Sequence, residues 1–220
     1  MNAFRLLQIQ LELECITFDH NGDLMRLPCP DPEDVPRVHI TQHAQGISIL
    51  FRQDVPPSTR QAINALPQDT AFHSPQIIQN ILERDAPVRD MWNGASYVVA
   101  QRIAPDAFPD VTREDRALRS LFRNAAQIEE AMVYAVMRDG HAVSACESAR
   151  ENKNAGEAWV RTEPAYQHKG YAAQTVRAWA YDLQQKNKIP FYSHKRENIA
   201  SEKLARALGL TLWAANVIFL

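Results

Sequence analysis

The chain has 220 residues, 45% of them hydrophobic and 23% charged. That suits one large domain or two small ones and excludes disorder or a coiled coil as a description of the whole. Twenty-four Lys and Arg against 26 Asp and Glu give a net charge of −2, which lacks the basic surplus that holding a duplex requires. The longest apolar run, Ala131 to Met137, has seven residues, where a membrane-spanning helix needs about 20. Met1-Asn2-Ala3-Phe4-Arg5 carries no basic stretch followed by a long apolar core, so nothing reads as a secretory signal. The expectation is a cytoplasmic protein that binds neither nucleic acid nor membrane. Cys15, Cys29 and Cys146 are odd in number and widely spaced, which predicts reduced thiols rather than a disulfide framework or a zinc site.

Residues 1–94 carry broken patterns. Leu11 to Ile16 alternates like a strand, and Asn21-Gly22 signals a turn. Prolines crowd Pro28 to Pro36, which predicts a surface loop. Val38-His39-Ile40 and Ile47 to Phe51 read as strands around Gln45-Gly46. One short helix is expected from Ser58-Thr59 to before Pro67. A second is expected from Ser74-Pro75, with Ile77, Ile78, Ile81 and Leu82 on one face. His39 and His43 have the spacing of helix-borne metal ligands, but the pattern is strand-like and no third ligand is evident, so no metal site is expected.

Residues 95–220 are clearer. Tyr97 to Ala100 reads as a strand, and Thr112 with Asp115 resembles a capping box opening a helix with Leu118, Leu121 and Phe122. Ala131 to Arg138, Asp139-Gly140 and His141 to Ser148 form a predicted hairpin, because Asp-Gly permits the positive φ angles of a tight turn. Cys146 in this hairpin reads as a small buried residue. A strand over Glu157 to Thr162 follows, then a helix beyond Gly170 with Ala172, Val176, Trp179, Ala180 and Leu183 on one side. Ile189 to Ser193 is a short strand, and a helix from Asn198 stops at Gly209 before a last strand or tight pair. This order predicts an α/β (α+β) fold, a mixed sheet with helices packed against it.

Chemistry concentrates in one segment. The strand ending at Thr162 runs through Glu163-Pro164-Ala165-Tyr166 and Gln167-His168-Lys169-Gly170-Tyr171-Ala172 into a helix. Gly170 and Ala172 lack the bulk that would keep a ligand from the backbone. The helix's first amides have no intrahelical acceptor and its dipole favours negative charge, so a pyrophosphate suits the place. The spacing fits neither a Walker loop nor a dinucleotide fingerprint, and no Gly-x-Ser-x-Gly elbow occurs in the chain.

The segment resembles the signature of the GNAT superfamily of acetyl-coenzyme A-dependent N-acetyltransferases, Arg/Gln-x-x-Gly-x-Gly/Ala between strand and helix, here Gln167 to Ala172. Asn198 with Ala200-Ser201 and Leu204 to Leu210 is similar to a later element of that family, and the resemblance covers roughly residues 97–220. It implies a GNAT-like, mostly antiparallel central sheet flanked by helices over residues 95–220. Residues 1–94 would then be an extra N-terminal α/β region that shapes the acceptor site or completes the fold. It implies acetyl-coenzyme A as cosubstrate, a primary amine on a small molecule or protein as acceptor, no metal, and a homodimer. The cofactor residues implied are Val160, Arg161, Thr162, Gln167, His168, Lys169, Gly170, Tyr171, Ala172, Ala173, Asn198 and Ser201. Val160 and Thr162 would pair with the pantetheine arm, and the amides from His168 to Ala173 would hold the pyrophosphate.

Glu157 is the candidate base for the acceptor ammonium, with a salt-bridged structural glutamate as the plain alternative and Glu147 as the next candidate. Tyr192 and Ser193 could donate a proton or hydrogen bond, though Tyr192 also reads as pocket wall. Many members of the family carry a tyrosine after the last helix that protonates the leaving thiolate; this chain has Leu210-Thr211-Leu212-Trp213 there. A different class therefore stays open: a non-catalytic acyl-coenzyme A-binding regulatory or structural module.

Overall fold

A computed structural model describes residues 2–28, 34–114 and 132–220. The chain divides into two compact units. The first takes Met1–Ser96, His194–Glu197 and Leu212–Leu220; the second takes Tyr97–Ser193 and Asn198–Thr211. The C-terminal strand thus belongs with the N-terminal region. The expected fold class holds: the sheet is mixed and mostly antiparallel, with helices against it.

In the first unit, helix α1 (Ala3–Leu13) precedes the hairpin β1 (Ile16–Phe18) and β2 (Leu24–Arg26). Strands β3 (Val38–His43) and β4 (Gly46–Phe51) follow, then α2 (Pro57–Asn64), α3 (Gln68–His73) and α4 (Pro75–Leu82). Strands β5 (Met91–Val98) and β11 (Thr211–Phe219) complete the order β4-β3-β11-β5. Val38, Ile40, Val217 and Phe219 share one face with Ile63, Phe72, Ile78 and Leu82 of the three short helices, all of them buried.

Several expectations for this unit fail. Leu11 to Leu13 ends a helix rather than opening a strand, because Asn2 accepts from the Arg5 amide and Ala3, Leu7 and Leu11 are buried at helical spacing. Helix α3 has no counterpart in the sequence reading, and Ile77 is 39% exposed while Ile78, Ile81 and Leu82 are buried. Ser74 precedes α4 but makes no side-chain cap bond. Cys15 is disulfide-bonded, so the expectation of reduced thiols holds for Cys146 alone among the described residues. His39 and His43 lie on β3, where His39 Nε2 meets Asn216 Oδ1 at 3.3 Å and His43 Nε2 meets Ser48 Oγ at 3.1 Å.

The second unit holds β6 (Val111–Glu114), β7 (Val133–Arg138), β8 (His141–Glu151), β9 (Ala155–Thr162) and β10 (Ile189–Lys195), in the order β10-β9-β8-β7-β6. Strand β5 passes between the units after Ser96, and β10 passes between them after Ser193. Helix α5 (Tyr171–Gln185) buries Val176, Trp179, Ala180 and Leu183 as expected, and α6 (Ile199–Ala207) starts at the Asn198 cap. Asp139 and Gly140 take φ values of 50° and 82° in the predicted hairpin turn. Thr112, by contrast, sits in β6 opposite Ala135 rather than capping a helix. The helix expected around Leu118, Leu121 and Phe122 lies outside the described residues.

Candidate functional site

The site is built where β9 and β10 part. They pair in parallel over only three residues, Ile189↔Ala155, Pro190↔Gly156 and Phe191↔Glu157. On its other edge β9 continues along β8 to Ser144↔Thr162. The parity of that ladder fixes which backbone groups face which way. Glu163 N–H donates to the Val143 carbonyl at 2.9 Å. In an antiparallel pair the bonded positions alternate, so Trp159, Arg161 and Glu163 turn their amides and carbonyls toward β8. Those of Ala158, Val160 and Thr162 turn toward the β10 side, and beyond the last rung at Phe191↔Glu157 only Val160 and Thr162 face an edge where the ladder has stopped. A row of backbone donors and acceptors therefore lies along an edge with no strand partner among the described residues. Gln167 Nε2 reaches the Thr162 carbonyl at 3.5 Å.

Side chains on β9 alternate with the same period. Ala158 and Val160 pack with Cys146, Val176 and Trp179 on the α5 face, while Trp159 packs on Val133, Ala135, Ala142 and Ala145 opposite. Glu157 shares the Trp159 face. It is 6% exposed, and its Oε2 accepts from Arg150 Nη1 at 2.6 Å. Arg161 is exposed on that face as well. Glu147, opposite Trp159 in the β8–β9 ladder, is buried.

Gly156 is a requirement that the sequence reading missed. A Cβ there would stand 2.8 Å from Leu183 Cδ1 and 3.3 Å from Ser148 Oγ. Helix α5 is thereby drawn onto the strand just before the split. Trp179 Nε1 donates to Ser148 Oγ at 2.9 Å across the same junction. The β8 register shifts between Ser148 and Arg150, a bulge of the kind that re-aims strand side chains beside a site.

Beyond Thr162, Pro164–Tyr166 forms a single 3-10 turn and the chain doubles into α5. His168 and Gly170 take positive φ values of 61° and 80°, which curls successive amides into a concave array suited to an anion. No side chain caps α5 at Gly170, and a Cβ on Gly170 would meet nothing within 4 Å. The amides of Tyr171, Ala172 and Ala173 are first-turn donors with no intrahelical acceptor. Cations stand near by: Lys169 Nζ lies 4.7 Å from the Tyr166 ring centre, and the Arg138 guanidinium lies 4.9 Å from that of Tyr171. The expected residues from Val160 to Ala173 thus come together as one strand edge, turn and helix start.

Asn198 and Ser201 lie at the start of α6, where Ser201 N–H donates to Asn198 Oδ1 at 3.0 Å. That carboxamide oxygen therefore caps the helix. Burial pushes the Tyr192 hydroxyl up to about 12, against a smaller lowering effect from the Ser201 side chain. Ser193 is half-buried on the Phe191 face of β10. Cys146 is buried and its thiol is raised well above its ordinary value by burial, with the Glu147 charge second, so it is no thiolate nucleophile. Among the described residues no group of three or more His, Cys, Asp or Glu is placed to hold a metal, and no helix is long and apolar enough to cross a membrane.

The model of the GNAT acetyltransferase family matches residues 51–217. Two solved structures share the fold. An acetyltransferase from the GNAT family of Colwellia psychrerythraea superposes with a TM-score of 0.52 at 10% identity, over 98% of this chain and 94% of that one. A putative GNAT-family acetyltransferase from Novosphingobium aromaticivorans gives a TM-score of 0.50 at 16% identity. That match covers 60% of this chain, which spans 65% of the relative's length. No curated protein sequence matches the chain. A family model covering most of the chain, over a strand edge and helix start arranged as its signature implies, shows that the chain belongs to the GNAT acetyltransferase family.

Proposed function

We propose that this protein moves the acetyl group of acetyl-coenzyme A to a primary amine by direct transfer. The observation that carries the reading is the edge of β9 beyond Phe191↔Glu157, which continues into the uncapped start of α5. An extended amide-bearing arm matches the first part, because the Val160 and Thr162 backbone groups repeat at strand spacing. A pyrophosphate matches the second, where a helix dipole, curled amides and Lys169 converge. Asn198 then approaches the cosubstrate from the α6 side. The Val160 N–H polarises the thioester carbonyl, and Glu157 takes the ammonium proton through water while Arg150 fixes the carboxylate's position. Holding amine and thioester in line supplies much of the rate.

The test is thiol release from acetyl-coenzyme A with a panel of small-molecule amines and peptides bearing lysine, run beside calorimetric titration of acetyl-coenzyme A. Binding with amine-dependent thiol release supports transfer. Binding without release from any amine favours the non-catalytic acyl-coenzyme A-binding module. No binding removes both.

A further inference from the structure

We propose that the first unit carries a closed binding site for one water molecule, held between His39 Nδ1 and Thr41 Oγ1 of β3. Both side chains lie on the face of β3 opposite Val38 and Ile40, which pack with the three short helices. His39 is 4% exposed and Thr41 is 0% exposed. Neither His39 Nδ1 nor Thr41 Oγ1 has a hydrogen-bond partner among the described residues, although buried polar atoms are almost always paired. The ladder brings the two side chains to one place. His39 stands opposite Ile218 and Thr41 opposite Asn216, yet His39 Nε2 meets Asn216 Oδ1 at 3.3 Å. The imidazole therefore leans from its own rung toward that of Thr41. Two residues of strand span about 7 Å, and the lean shortens that gap. One water with two hydrogen bonds bridges about 5–6 Å.

The hydrogen-bond chain fixes what the site takes. Asn216 Nδ2 donates to Ser96 Oγ at 3.0 Å, so the atom that faces His39 is Asn216 Oδ1, which can only accept. His39 Nε2 accordingly carries the ring proton. Burial lowers this histidine to about 4, which keeps the ring neutral near pH 7. Nδ1 is then an acceptor in need of a donor, whereas the Thr41 hydroxyl can do either. Water donates to the first, pairs with the second, and reaches the roughly 2–4 bonds usual for a buried water. It is also small enough for a place where both side chains are so deeply buried. Gln10, Ser96 and Asn216, which extend the network, are uncharged, so an ion there would go unneutralised. The site shares no residue with the edge of β9 or the start of α5.

Thr41→Val keeps the shape and removes the hydroxyl, and the sign of its effect separates a filled site from a bare one. With water bound, the variant removes one of its anchors and leaves Nδ1 without a donor, so the thermal midpoint falls. Without water, it removes an unsatisfied buried hydroxyl. A midpoint that holds or rises therefore overturns the proposal. Nitrogen NMR of histidine-labelled protein tests the wild type itself. The expected spectrum shows His39 protonated at Nε2, with its Nδ1 resonance displaced from the position of an unbonded ring nitrogen. Thr41→Val should return that resonance toward the unbonded position, and Thr41→Ser, which keeps a hydroxyl, should leave it in place. A wild-type Nδ1 at the unbonded position, or a proton on Nδ1, overturns the site. Should Thr41→Val fail to fold, a high-resolution crystal structure of the wild type decides beside the spectrum. A water oxygen within hydrogen-bond distance of both atoms supports the site, whereas empty space or a larger molecule there overturns it.

Discussion

In the first unit, buried polar side chains on different elements close on one another. Gln10 Nε2 on α1 and Asn216 Nδ2 on β11 both donate to Ser96 Oγ on β5, at 3.1 and 3.0 Å, and Asn216 Oδ1 faces His39 on β3. The second unit does the reverse with its backbone: it ends a parallel ladder after three rungs, turns the Val160 and Thr162 groups to the vacated side, and starts a 15-residue helix with no side-chain cap. Side chains that satisfy each other tie elements together, whereas backbone groups held rigid with no strand partner among the described residues are prepared for a ligand. The contrast can be broken by substitutions in either unit.

The largest effect is expected at Glu157. Glu157→Gln should lower kcat by roughly 10²–10⁴ near neutral pH, with acetyl-coenzyme A affinity unchanged. The loss should shrink as pH rises and the amine arrives deprotonated. Wild-type turnover across pH would move attention to Glu147. A variant that loses stability instead would mark the Arg150 pair, 2.6 Å long, as a structural tie like those of the first unit.

Next comes His39, whose value burial lowers from 6.5 to about 4 against the smaller raising effect of its Asn216 bond. Between those two values the unfolded chain binds more protons than the folded one. The neutral histidine's contribution is therefore full above pH 6.5 and is lost as pH falls toward 4, about 3 kcal/mol in all. Urea unfolding across that window should show the slope, and His39→Gln should flatten it.

Gly156→Ala should cost roughly 1–3 kcal/mol, because Leu183 must move away from a Cβ placed 2.8 Å from it. Thermal unfolding reads the loss. The smallest effect is expected at Gly170→Val: acetyl-coenzyme A affinity should fall about tenfold, since the side chain would occupy the phosphate place. The positive φ adds about 1–2 kcal/mol of strain, but no atom of the protein stands within 4 Å to clash, so the fold persists.

The second unit was the more legible because its signals are local. Asp139-Gly140, Gly170 and Asn198 each set the conformation of their own residue or the next turn, and the structure follows them. The α1 segment misled because Leu11 and Leu13 alternate over too short a stretch, while the Asn2 cap and the buried Leu7 that decide the helix lie upstream. Thr112 misled because its capping spacing depends only on sequence neighbours, whereas its strand depends on pairing with Ala135. The outward turn of Val160 and Thr162 could be expected only through resemblance, because parity is set by β8. Gly156 carried no signal at all: its need for a missing side chain comes from Leu183, 27 positions along the chain. Arg150 beside Glu157 was hidden for a similar reason, since a register shift brings them opposite.

Backbone amide exchange, followed residue by residue by NMR with and without acetyl-coenzyme A, tests most directly whether the unpaired backbone of the second unit is the binding surface. The account predicts that the ligand slows exchange at Val160 and Thr162 and at the amides from His168 to Ala173, while amides of the first-unit strands β3 and β4 stay unchanged. Saturating acetyl-coenzyme A that leaves all of those second-unit amides at their ligand-free rates would contradict it.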